Sequence, residues 1–101
     1  MKMMIIFDCD ADVIDVPEFV VDNRETFRRQ FLKWIYDKNS HHKYWEKVTD
    51  REGNQFVGLS YRSDAFVDWL NKKKLKNNAE KASIYEQYVP ILSDTLPTIE
   101  F

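Results

Sequence analysis

Three aspartates alternate at the end of an apolar run near the start of the chain, Met3-Met4-Ile5-Ile6-Phe7-Asp8-Cys9-Asp10-Ala11-Asp12. Drawn out as one strand, this stretch sends Ile5, Phe7, Cys9, Ala11 and Val13 to one face and Asp8, Asp10 and Asp12 to the other. Carboxylates in such a row lie about 7 Å apart. They can hold a cation, meet basic groups on a partner, or keep a sheet face solvated. The first use makes Asp8 and Asp10 the centre of a metal-dependent hydrolase or metal-binding protein. The second makes Asp8, Asp10 and Asp12 a binding patch. His41-His42 could add one imidazole to Asp8 or Asp10 for Zn²⁺ or Mn²⁺, but adjacent residues of an extended chain face opposite sides and do not chelate together. With a single cysteine and no His-x-x-x-His, no complete metal-ligand set is legible, and no cofactor is expected.

Two short resemblances bear on this choice. Ile5-Ile6-Phe7-Asp8-Cys9-Asp10 resembles the first motif of haloacid dehalogenase-type phosphatases, an apolar strand followed by Asp-x-Asp. That resemblance implies Asp8 as nucleophile and Asp10 as acid/base beside Mg²⁺. Asp12 stands where the family has Thr or Val, and the family's remaining residues belong to a longer chain with a parallel sheet. Glu52-Gly53-Asn54-Gln55-Phe56-Val57-Gly58-Leu59 resembles the third-strand signature of the RNA-recognition motif. It implies Phe56 as a base-stacking ring in a single-stranded RNA module. Glu52 replaces that family's basic residue and Asn54 its stacking aromatic, and the aspartates of the first strand would repel phosphate. Nucleic acid is therefore disfavoured as a partner. With only Gly53 and Gly58, there is also no glycine-rich phosphate loop.

Aromatic residues are the other notable resource: seven Phe, five Tyr and three Trp against two Gly. A core of this size buries only part of them, and Tyr and Trp left at a surface make good contact anchors. Tyr44 and Trp45, approached through His41-His42-Lys43, and Tyr88 on a later strand are the candidates.

The elements that position these residues follow from periodicity and turn signals. The 101 residues suit one domain, 1–101, with 44% hydrophobic and 32% charged residues. After the first strand, Asp22 and Glu25 resemble a capping box opening a helix to about Lys38, with Phe27, Phe31, Trp34 and Ile35 as its core stripe. A hairpin spans 43–61 with its turn at Asp50-Arg51-Glu52-Gly53-Asn54. Ser63 caps a second helix to about Lys76, buried through Phe66, Val67 and Leu70. A strand over 82–88 stops at Pro90, and Thr95–Phe101 forms a short extra edge strand. The order β-α-β-β-α-β is that of a ferredoxin-like α+β two-layer sandwich.

No apolar run is long enough to span a membrane, the first residues lack the pattern of a signal peptide so none is expected, and one cysteine permits no internal disulfide; a cytoplasmic location is therefore expected. Cys9 is expected as a buried small hydrophobe. Six acidic residues against Lys2 leave residues 1–22 at −5 and, with the whole chain at −2, the remainder at +3. This asymmetry supports an electrostatically steered partner or self-association. The leading expectation is a small non-enzymatic protein-binding or regulatory module that uses the acidic strand and an aromatic contact surface.

Overall fold

A computed structural model describes residues 1–91 and 96–101. The chain is a mixed α+β fold with a four-stranded sheet, a two-stranded sheet and three α-helices among those residues. In chain order the elements are β1 (Lys2–Ile6), β2 (Ala11–Asp15), α1 (Glu18–Asp22), α2 (Arg24–Ile35), β3 (Trp45–Thr49), β4 (Gln55–Leu59), α3 (Ser63–Trp69), β5 (Ser83–Val89) and β6 (Thr98–Glu100). A π-helical turn, Leu70–Lys74, continues α3.

The largest departure from expectation lies at the start. The predicted first strand is two strands, folded into an antiparallel hairpin with Lys2 opposite Asp15 and Ile6 opposite Ala11. Residues 7–10 form the turn, closed by the Phe7 N–H donating to the Asp10 carbonyl at 2.8 Å. Aspartate favours turns because its side chain can bond nearby main chain, and Asp8-Cys9-Asp10 separates two apolar runs each long enough for a strand. Cys9, at the tip, is exposed rather than buried.

That fold-back also changes the sheet. β2 pairs antiparallel with β5 and β1 pairs parallel with β6, giving the order β5-β2-β1-β6. In the ferredoxin-like order the middle hairpin would join this sheet. Here β5 and β6 fill both flanks of the β1–β2 hairpin, and β3–β4 forms a sheet of its own. The C-terminal strand is an edge strand as expected, with Pro97 just before it; Thr95, where it was predicted to begin, lies outside the described residues.

The helices pack on one face of the four-stranded sheet. The apolar stripe of α2 places Phe31 and Ile35 fully inside, against Met3, Ile5 and Ile14 of the hairpin, Phe66 and Leu70 of the α3 segment, and Ile99 of β6. Both predicted helices end early as α-helix: α2 stops at Ile35 and α3 at Trp69. The Asp22–Glu25 box does not form, since Asn23 occupies the cap position and makes no capping bond with its side chain. A smaller cluster of Met4, Ala11 and Val13 occupies the other sheet face.

Candidate functional site

Ile5 pairs with Asp12 across the β1–β2 hairpin, and cross-strand partners share a face. Ile5 belongs to the main core, so Asp12 is carried inward with it and is fully buried. A bare carboxylate there would be costly. The compensation comes from the start of α3. Arg62 donates from Nη2 to Asp12 Oδ1 at 2.7 Å and from Nε to Oδ2 at 3.3 Å, the two-pronged geometry that suits guanidinium and carboxylate. Ser63 Oγ donates to Oδ2 at 2.5 Å, and the Tyr88 N–H of β5 donates to Oδ1 at 3.0 Å. Each carboxylate oxygen thus accepts from two donors.

The guanidinium has a second layer of contacts. Its Nη2 also reaches Asp10 Oδ1 at 2.9 Å, and its carbon lies 4.5 Å from the Phe7 ring centre and 4.1 Å from that of Tyr88. Stacking between two aromatic rings suits a weakly hydrated guanidinium. Tyr88 takes a left-handed backbone conformation, with φ of 57°, uncommon for a bulky side chain. Its N–H bond to Asp12 and its ring on Arg62 account for that conformation.

Burial alone would raise the Asp12 pKa. Hydrogen bonds from Arg62, Ser63 and Tyr88, with the guanidinium charge, outweigh it and hold the carboxyl below its ordinary value of 3.8. Arg62 is correspondingly held in its charged form, chiefly by its hydrogen bonds to Asp12. Chemically the arrangement is a closed ion-pair knot that ties β2, β5 and α3 together. An added cation at Asp12 would meet the Arg62 charge and no unused carboxylate lone pair.

The six residues singled out from sequence are thus divided. Asp10, Asp12 and Tyr88 converge on Arg62. Asp8 is exposed in the β1–β2 turn, with no ion pair among the described residues. Tyr44 and Trp45 belong to a different aromatic group. Tyr44 is buried, and Trp45 is half-buried and stacked on His42 at 5.4 Å, with its indole Nε1 enclosed and unpartnered. The Tyr44 N–H donates to His42 Nδ1 at 3.1 Å, which leaves Nε2–H to donate to the Ile35 carbonyl at 2.9 Å. Both ring nitrogens of His42 are therefore engaged. Among the described residues no cluster of three or more His, Cys, Asp or Glu side chains is placed to hold a metal ion.

Arg62 and Ser63 are the site residues that sequence reasoning missed. Ser63 reads as a helix cap, but its hydroxyl is spent on Asp12, and the Asp64 carboxylate instead accepts the Arg62 N–H at 3.1 Å. The only signal for Arg62 is a lone basic residue between an apolar strand and a helix.

The buried Tyr44 side chain makes a measurable signature. Burial, with Asp68 and Asp64 nearby, pushes its pKa up to about 12. The unfolded chain ionises near 10, so the folded state binds the proton more tightly and stability falls as pH rises from about 10 to about 12. In an alkaline spectrophotometric titration, Tyr44→Phe should remove one late-ionising tyrosine. An unchanged titration curve would contradict this burial.

No helix among the described residues is long and apolar enough to cross a membrane. No family model, no curated protein and no solved structure matches this chain.

Proposed function

We propose that the chain is a small non-enzymatic protein-binding or regulatory module whose contact surface is centred on β5. The observation that carries this reading is the exposure of large side chains along one edge strand: Ile84 at 38%, Tyr85 at 58% and Tyr88 at 64%. Tyr and Trp anchors bury much area at small entropic cost, and Tyr88 is already oriented by Arg62 beneath it. Asp8, exposed one position after Phe7, whose ring also contacts the guanidinium, supplies the acidic component for a basic partner. Trp45 lends less, because its ring is largely committed to His42.

The test is affinity capture from a lysate of the source cells with the tagged chain, comparing wild type with Tyr85→Ala, Tyr88→Ala and Tyr88→Phe. A truncated anchor residue costs about 2 kcal/mol or more, roughly thirtyfold in affinity. A stoichiometric protein should be retained by wild type and Tyr88→Phe and lost from the alanine variants, with all four chains folded by circular dichroism. Retention of every captured protein by both alanine variants would remove β5 from the contact.

A further inference from the structure

The β3–β4 hairpin leaves a backbone edge whose composition differs from every other strand edge described. Its ladder determines which groups face outward. The Ser60 N–H donates to the Tyr44 carbonyl at 3.0 Å and the Asp50 N–H to the Asn54 carbonyl at 2.9 Å. Between these the register is unbroken, from Trp45 opposite Leu59 to Thr49 opposite Gln55. Hydrogen-bonded and non-hydrogen-bonded pairs alternate in an antiparallel ladder. Phe56 and Gly58 therefore turn their N–H and C=O groups toward β3, while Gln55, Val57 and Leu59 turn theirs outward. Among the described residues no hydrogen bond reaches those outward groups.

Natural sheets blunt such edges with charge, proline or bulges. β5 has a bulged register against β2 and carries Glu86. β3 carries Glu46 and Lys47, and β6 is three residues long and preceded by Pro97. β4, Gln55-Phe56-Val57-Gly58-Leu59, has none of these devices, and it exposes Phe56 at 52% and Val57 at 58%. A two-stranded hairpin is also marginal in water by itself.

The register of β4 suits a second copy of this chain. Antiparallel partners must be of the same hydrogen-bonding class, so a two-fold axis relating two β4 strands passes through a residue rather than between two. An axis at Val57 aligns the whole strand: Val57 meets its own copy, Gln55 meets Leu59, and Phe56 meets Gly58. No charge is opposed. A Cβ at Gly58 would sit in ordinary van der Waals contact with Val48 Cγ2, at 3.6 Å, and clash with nothing, so the ring of the second copy's phenylalanine can lie over this glycine beside that methyl. The same operation on β3 sets Lys47 against Lys47, Glu46 against Glu46, or Glu46 against Asp50, and like charges directly opposite are repulsive. We infer that β4 pairs antiparallel with β4 of a second copy of this chain about Val57, adding about six main-chain hydrogen bonds and merging two hairpins into one continuous sheet.

This inference does not rest on β5, and the two fail separately. The experiment is sedimentation of the full chain over a concentration series reaching the millimolar range, for wild type, Val57→Lys, Val57→Glu and an equimolar mixture of the two variants. Val57 is exposed, so the monomer should tolerate either charge. The expected result is a concentration-dependent wild-type dimer, at least about tenfold weaker in each variant and regained in the mixture, where opposite charges meet across the axis. Val57→Pro is the second probe: it deletes an N–H that the hairpin does not use, so circular dichroism should be retained while the dimer is lost. A monomeric wild type throughout, a dimer equally tight in the charged variants, or a mixture no tighter than its components would each overturn the inference.

Discussion

Replacing Arg62 with methionine should destabilise the fold by about 3–5 kcal/mol, the usual cost of stranding one member of a buried ion pair. The reason is Asp12, which is fully buried and receives two of its four donated hydrogen bonds from that guanidinium. In a domain of this size such a loss lowers the melting temperature by roughly 15–30 °C. Arg62→Met combined with Asp12→Asn should lie closer to wild type than Arg62→Met alone, because the stranded charge is gone and the two sites are coupled. Thermal melts of the three chains check both statements, and a loss below about 1 kcal/mol in Arg62→Met would show the pair to be dispensable.

Acid supplies an independent signature of the same knot. In wild type the Asp12 pKa is below 3.8, so its contribution is fully present above that pH and is lost as pH falls through the lower folded value. In Arg62→Met burial dominates and raises the carboxyl's pKa, so acid relieves the strain of the buried charge and that contribution increases as pH falls. The stability gap between the two chains should therefore narrow toward pH 3. A constant gap from pH 7 to pH 3 would mean that Asp12 ionisation is not what Arg62 balances.

Phe31→Ala should cost a comparable 3–5 kcal/mol for a different reason, the cavity left by a buried ring. Phe31 is fully enclosed, with ring centres of Phe66 and Phe101 at 5.3 Å, Tyr61 at 5.6 Å, Trp69 at 5.9 Å and Trp34 at 6.0 Å. These neighbours come from α2, the approach to α3, α3 itself and the C-terminus, so no single element can close the gap. Urea denaturation with near-ultraviolet dichroism would register both the lost stability and the loosened ring environment. Phe31→Leu, which keeps more of the volume, should lose less. Equal losses for Ala and Leu would indicate that ring geometry rather than filled volume sets the cost.

The residues predicted as anchors illustrate why an aromatic surplus does not by itself reveal a surface. Tyr88 is exposed and Tyr44 is buried, although both stand beside polar residues, Tyr88 on β5 and Tyr44 in the turn that enters β3. What separates them is which neighbour arrives later in the chain: the α3 region, with Asp64 and Asp68, closes near Tyr44, whereas β5 ends as a sheet edge.

Local physics was enough for much of this chain. The apolar spacing of Phe27, Phe31, Trp34 and Ile35 determined α2, the turn-rich 50–54 segment between β-prone flanks determined the β3–β4 hairpin, and Ser83–Val89 emerged as a strand from its alternation. Those outcomes depend on contacts between residues close in sequence. Tertiary structure decided the rest. Whether Asp8-Cys9-Asp10 continues a strand or turns back depends on β5 and β6 arriving to flank the hairpin, and the fate of Asp12 depends on Arg62, fifty positions away. A carboxylate is written identically whether it faces water or a guanidinium. Only the folded chain, by removing the water and supplying the donor, decides between them.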